Sequence, residues 1–254
     1  MHVILTGATG LVGSGVLDAM IKMKDVSKIS ILSRRPVKMA EDAKDPRINV
    51  IIHKDFEKYD SELISKLRGA TGCVWALGIS QTQVSKEEYV KITKDYTLAA
   101  SEAFQALGSE QEPFNFVYVS GEGATTQPGR FSAIFARVKG ETELALAEMR
   151  KANPSFHASS VRPAFVDSAT HDAIKPYIPV PNLLHRALLP VSAPVIRCGL
   201  TGYWSPTQDL GRFLTEMAVG RYKDQLAAKD IQMVGEFPIL ANTAFRRLAG
   251  LDKK

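Results

Sequence analysis

Three glycines spaced by three, Gly7, Gly10 and Gly13, follow the short apolar run Val3-Ile4-Leu5 and lead into the helix-spaced residues Val16, Leu17, Met20 and Ile21. This pattern predicts a strand, a glycine turn and a helix start. Such a turn holds a dinucleotide pyrophosphate on backbone N–H groups at the helix N-terminus. Gly7 allows the tight turn, Gly10 lets the backbone approach phosphate where a Cβ would intrude, and Gly13 permits close helix packing. The spacing is G-x-x-G-x-x-G rather than G-x-G-x-x-G, so its weight comes from its place between a strand and an amphipathic helix. Thr6, Gly7, Thr9, Gly10, Leu11, Val12 and Gly13 are the expected contacts of this turn.

About twenty residues on, the run Ile29-Ser30-Ile31-Leu32 ends in Ser33-Arg34-Arg35-Pro36. NAD sites place a carboxylate near this point for the ribose 2′-hydroxyl. Two guanidiniums stand here instead and suit a 2′-phosphate, which predicts NADP as the cofactor. The ends of the next two strands add Asp55 and Phe56, then Ala76, Leu77 and Gly78, for adenine and ribose contacts. Asp55 reads equally well as a loop carboxylate.

The elements that must position these residues alternate. Strands are expected at 2–6, 28–32, 48–52, 72–76, 114–119 and 157–161, and helices at 11–23, 60–68, 85–106, 130–151 and 208–220. That rhythm predicts an α/β fold, a doubly wound parallel sheet of Rossmann type with a small C-terminal substrate lobe. The expected organisation is one NAD(P)-binding domain, with the Rossmann core over 1–167 and the lobe and closing elements over 168–254. The proline-rich stretch from Pro176 to Pro206 reads as an irregular segment closing over a substrate.

Composition fits an ordinary globule, with 45% hydrophobic and 23% charged residues and a net charge of +5. The basic excess is dispersed, which argues for an anionic cofactor and against nucleic acid. No apolar run approaches the ~18 residues of a membrane span. With the first strand starting at residue 2 no leader is expected, and the two cysteines, Cys73 in an apolar strand and Cys198 in a loop-like segment, suggest no disulfide framework. A cytoplasmic location is expected. His53, His171 and His185 lack metal-ligand spacing and read as surface residues, so no metal is expected.

The glycine turn, Gly78, Val117-Tyr118-Val119-Ser120, the segment Phe135-Ala136-Arg137-Val138-Lys139-Gly140-Glu141 and Val161-Arg162-Pro163 together resemble the atypical short-chain dehydrogenase/reductases. The likeness is greatest to the Tat-interacting-protein oxidoreductase-like group and covers about residues 1–167. It implies cofactor contacts from Lys139, Pro163, Ala164 and Phe165, and a substrate-orienting hydroxyl at Ser120, with Thr125 or Thr126 as substitutes. Thr93 falls where that family keeps a helix Asn or Asp. The family's Tyr-x-x-x-Lys signature is broken here: Lys139 is present, but Phe135 stands at the tyrosine and has no proton to exchange. Ser120, Lys139 and Tyr177 are the expected catalytic residues, with Glu122 or water as other proton sources.

Three functions follow from this departure. The first is an NADP-dependent oxidoreductase acting on a small organic carbonyl or alcohol through another donor. The second is a nonenzymatic NADP(H)-dependent regulator with a protein partner, and the third is an epimerase, dehydratase or isomerase on the same scaffold. Tyr203 and Trp204 either line the substrate pocket or pack within the lobe.

Overall fold

Burial follows the period-two alternation of the strands. In β1 (His2–Thr6) every residue is buried: Val3 and Leu5 face one hydrophobic layer, Ile4 the other. The computed structural model describes residues 1–179 and 193–252. Its main sheet contains β1, β2 (Lys28–Ser33), β3 (Ile48–Ile52), β4 (Ala70–Trp75), β5 (Phe114–Val119), β6 (Phe156–Val161), β9 (Gln232–Val234) and β10 (Phe237–Leu240). The order is β3-β2-β1-β4-β5-β6-β10-β9, parallel throughout except for the β10–β9 edge. This is the doubly wound Rossmann order, with its direction reversed between β1 and β4. A ligand crevice belongs at the carboxyl ends of strands flanking that reversal.

One face of the sheet carries α1 (Leu11–Lys22), α8 (Thr207–Ala218) and α9 (Asn242–Leu248), whose Phe213 and Phe245 share a core layer with Val3, Leu5 and Val117 of the strands. The other carries α3 (Ser61–Leu67), α5 (Tyr96–Phe104) and α6 (Ile134–Ala152), over an aromatic layer of Trp75, Phe104, Phe114, Phe116 and Phe156. Helices α1 and α8 meet backbone to backbone. A Cβ on Gly211 would lie 2.2 Å from the Gly15 carbonyl oxygen, and one on Gly15 would lie 2.8 Å from that of Thr207.

Several expected boundaries differ. The helix expected over 85–106 divides into α4 (Lys86–Val90), a π-helical turn at Lys91–Asp95, α5 and a 3₁₀ turn. Within it the Thr97 hydroxyl donates to the Thr93 carbonyl and the Ser101 hydroxyl to that of Thr97, side-chain bonds that compete with the regular ladder. The helix expected at 130 starts at Ile134, because Gly129 and Ser132 close a turn on each other first. Helix α2 (Lys38–Ala43), β9, β10 and α9 have no counterpart in the expected elements. Pro238 argues against a strand at β10. Only Ile239 and Leu240 register with β6, and Pro238 lies opposite Met233 of the short edge strand.

The proline-rich stretch is partly regular. Helix α7 covers 193–199, and β7 (Phe165–Asp167) pairs in parallel with β8 (Trp204–Pro206). Cys198 therefore sits exposed on a helix, not in a loop. His185 lies outside the described residues.

Candidate functional site

The turn after β1 is built as its glycines require. Gly7 has φ +70°, and a Cβ there would lie 2.2 Å from the Ala76 carbonyl oxygen at the end of β4. A Cβ on Gly13 would lie 2.0 Å from the Gly7 carbonyl oxygen, so this glycine seats the helix on the turn itself. Gly10 is different: its amide donates to the Gly7 carbonyl at 2.9 Å, and a Cβ would meet only that oxygen, at 3.3 Å. The space in front of it is open, as is the space around Gly78. Leu11 and Val12 begin α1 and pack on the core, and Thr6 is fully buried with its hydroxyl unpartnered.

Gly7, Thr9, Leu32, Arg34, Arg35 and Leu77 border a cavity of about 440 Å³, joined by Ser33 and Phe56. Arg34 and Arg35 are exposed at its mouth. The Ser33 hydroxyl fixes their loop, donating to the Arg35 carbonyl at 2.7 Å. Phe56 is a core ring, edge-on to Trp75, with one side reaching the cavity. Asp55 is turned to a local role, accepting from the Glu57 amide and lying 3.7 Å from Lys58. A glycine turn with open space before Gly10, bordering a cavity of this size, fits a nicotinamide dinucleotide.

Further along the same carboxyl edge, β5 ends at Val119 and presents Ser120, whose buried hydroxyl has no partner among the described residues. Lys139 reaches this point from α6. Its ammonium donates to the Ser120 carbonyl at 2.7 Å and to that of Val119 at 3.3 Å, and lies 5.6 Å from the centre of the Tyr118 ring. Burial pushes the Lys139 ammonium down to about 8, and the nearby Glu143 carboxylate opposes that fall. Glu143 follows Lys139 by four residues on the same helix face. It is fully buried, gripped by Arg162 at 2.5 and 3.0 Å and by the Ser160 hydroxyl at 2.8 Å. The Phe135 ring lies against Gly123, whose φ is +87°, and the Phe135 amide donates to the Gln81 side chain at 3.1 Å.

A second cavity, about 570 Å³, opens beside this cluster. Gly121, Glu122, Pro163, Ala164 and Phe165 form its floor, and Ile196, Leu200 and Tyr203 its outer wall. The Lys139 stem runs close to Gly121, 3.9 Å from where a Cβ would sit, linking the two regions. Asp167 anchors the outer wall, accepting from Arg197 on α7 at 2.6 and 2.9 Å and from the Trp204 indole at 3.0 Å. Burial alone would raise the Asp167 carboxyl, but these donors and the Ala169 amide hold it below its ordinary range. Asn242 ties the floor to the C-terminus through the Ser205 hydroxyl, the Gly202 carbonyl and the Glu122 carboxylate.

The structure thus brings Ser120, Lys139, Pro163, Ala164 and Phe165 into one neighbourhood. Tyr177 is not brought there: its hydroxyl donates to Asp42 of α2 at 3.0 Å. Thr125 and Thr126 are occupied elsewhere, accepting from the Gln127 amide and from Gln232. Thr93 is buried in the π-helical turn. His171 is not a surface residue. It is buried between Asp18, at 2.8 Å, and Thr207, at 3.0 Å, because the turn after β7 packs on α1 and α8. His53 is half-buried beside Phe56 and Tyr59. Sequence reasoning missed Glu143, Gln81, Asp167 and Asn242. Only Glu143 carried a signal, its four-residue spacing from Lys139.

No protein-family model matches the chain. Leucinostatins biosynthesis cluster protein T of Purpureocillium lilacinum is 35% identical over 243 residues, covering 88% of this chain and 87% of the relative. Botcinic acid biosynthesis cluster B protein 16 of Botryotinia fuckeliana is 44% identical over 156 residues, 61% of this chain and 99% of the relative. Protein HTATIP2 of Rattus norvegicus is 26% identical over 148 residues, 58% of this chain and 57% of the relative. Among solved structures, a double mutant of the dTDP-glucose 4,6-dehydratase DesIV from Streptomyces venezuelae, bound to NAD, superposes with a TM-score of 0.64 at 16% identity, over 99% of this chain and 80% of that one. The Bordetella bronchiseptica enzyme WbmF with NAD+ gives 0.64 at 12%, over 100% and 79%. A relative that spans most of the chain and the likeness to HTATIP2 over more than half of it, together with the Rossmann strand order, fix the family: this chain is an NAD(P)-binding atypical short-chain dehydrogenase/reductase.

Proposed function

We propose that this chain is an NADP(H)-dependent oxidoreductase acting on a small organic carbonyl or alcohol, with Lys139 and Ser120 serving where the family's tyrosine is replaced by Phe135. The observation that carries the reading is the pair of cavities on one carboxyl edge of the sheet, with the Lys139 ammonium at the end of β5 beside the second. Gly7, Thr9 and Gly10 would hold the pyrophosphate, Arg34 and Arg35 the 2′-phosphate, and Lys139 with Pro163, Ala164 and Phe165 the nicotinamide half. When bound, the cofactor supplies or accepts a hydride. Lys139 serves as the proton source: its lowered affinity for the proton makes the ammonium a better acid near neutrality than an ordinary lysine. The unpartnered Ser120 hydroxyl is free to bond the substrate oxygen. The reading treats the chain as one cofactor-binding domain, and its free thiols suit a reducing compartment such as the cytoplasm.

The test is NADPH consumption with a panel of aldehydes, ketones and quinones, followed against pH. Reduction requires protonated Lys139, so the rate is expected to hold below about pH 8 and fall above it. Lys139→Met should remove about 10²-fold or more of the activity. Bound NADPH with no turnover across the panel would overturn the enzyme reading. It would favour the cofactor-dependent regulator, the reading that Phe135 itself supports.

A further inference from the structure

The second cavity has a chemistry of its own. Its walls are the side chains of Pro163, Ala164, Phe165, Ile196, Leu200 and Tyr203, and the charged residue lining it, among the described residues, is Glu122; the Lys139 ammonium, its stem next to Gly121, is bound to the Ser120 and Val119 carbonyls. Leu200 and Tyr203 are 51% and 57% exposed, a large apolar area left in water at the rim. The nearest cation on the wall helix, Arg197, follows Ile196 directly, but its Nε and one Nη are bound by Asp167, whose carboxylate offsets its charge. Glu122 is held in place: its amide donates to the Pro163 carbonyl at 2.9 Å, and its carboxylate accepts from the Asn242 amide at 3.3 Å, leaving further lone pairs free.

Resting on the oxidoreductase reading, we infer that this pocket takes a neutral, mainly apolar molecule that presents a hydroxyl to Glu122, and that it disfavours anions such as carboxylates and sugar nucleotides. An apolar body covers Leu200, Tyr203 and Ile196. A hydrogen-bond donor on the ligand meets a carboxylate fixed for it, whereas an anionic group would face that carboxylate with the neighbouring guanidinium already paired. Glu122 is then a specificity-determining residue.

The test is calorimetric binding to the full chain, with and without NADPH, using naphthylmethanol, naphthyl methyl ether, naphthoate and UDP-glucose. Naphthylmethanol should bind at least about tenfold tighter than naphthoate and tighter than the ether, and UDP-glucose should bind weakest. Glu122→Gln, which keeps an acceptor for the Asn242 amide, should narrow the alcohol-to-naphthoate ratio to about threefold. Leu200→Asp should weaken naphthylmethanol by about tenfold while leaving NADPH affinity unchanged. Because Leu200 is exposed, the fold should tolerate this change, and Tyr203→Ser provides a second variant at the same rim. Naphthoate or UDP-glucose binding tighter than the alcohol, or alcohol binding indifferent to both rim variants, would overturn the inference. Loss of NADPH binding with the alcohol preference intact would instead overturn the cofactor reading and leave the pocket's chemistry standing.

Discussion

The proposed chemistry rests on Lys139, four residues after Phe135 on α6. Its folded-state proton affinity falls to about 8 against an ordinary value of 10.5, so between those values the unfolded chain holds more protons than the folded one. Stability of the cofactor-free protein should therefore climb as pH rises from about 8 to 10.5, with no pH dependence from this group below that. Lys139→Met should flatten the climb in denaturant midpoints, and an unchanged slope would refute the burial argument. Phe135→Tyr places a phenol one helical turn from the ammonium and should raise NADPH-dependent carbonyl reduction by about 10²–10⁴-fold. The double change with Lys139→Ala should cancel the gain. Glu143 supports this position from beneath. Glu143→Ala strands the half-buried Arg162 guanidinium and should cost about 3 kcal/mol in chemical denaturation.

Among the elements, those with strong local periodicity were legible before the structure, and those defined by distant partners were not. Strands β1 to β6 announce themselves by apolar runs, and α1 by its glycines and spacing. Strand β10 carries a proline and exists because β6 offers an edge. Helix α9 is short and is held by Asn242 and Arg246, whose partners lie at Gly202, Trp204 and Asp252. The candidate site divides the same way. The glycine turn, Arg34 and Arg35 are read from strand ends, and Ser120 and Lys139 come from the family resemblance. Tyr177 was misplaced, and Asp167 with Arg197 missed, because both depend on where the segment after β7 packs. The crossing of α1 and α8 gives a sharp test. Gly211→Ala drives a methyl into the Gly15 backbone and should destabilise by about 1–3 kcal/mol with little effect on cofactor affinity. Gly10→Val should do the reverse, abolishing cofactor binding while leaving the melting temperature nearly unchanged, since the space before Gly10 is open.

Across the molecule, the sheet lines up three features along one edge: the glycine turn and the two arginines at the ends of β1, β2 and β4, the Ser120 and Lys139 pair at the end of β5, and the apolar pocket past the end of β6. The first of these decides whether the others have a cofactor to work with. Isothermal titration of NADPH and NADH, into the unmodified protein and into Arg34→Ala/Arg35→Ala, addresses it without any knowledge of the substrate. NADPH should bind the unmodified protein at least about tenfold tighter than NADH, a figure already discounted for the exposure of both guanidiniums, and the double variant should bring the two affinities together. Equal affinities in the unmodified protein, or a preference for NADPH that survives the loss of both arginines, would contradict the assignment.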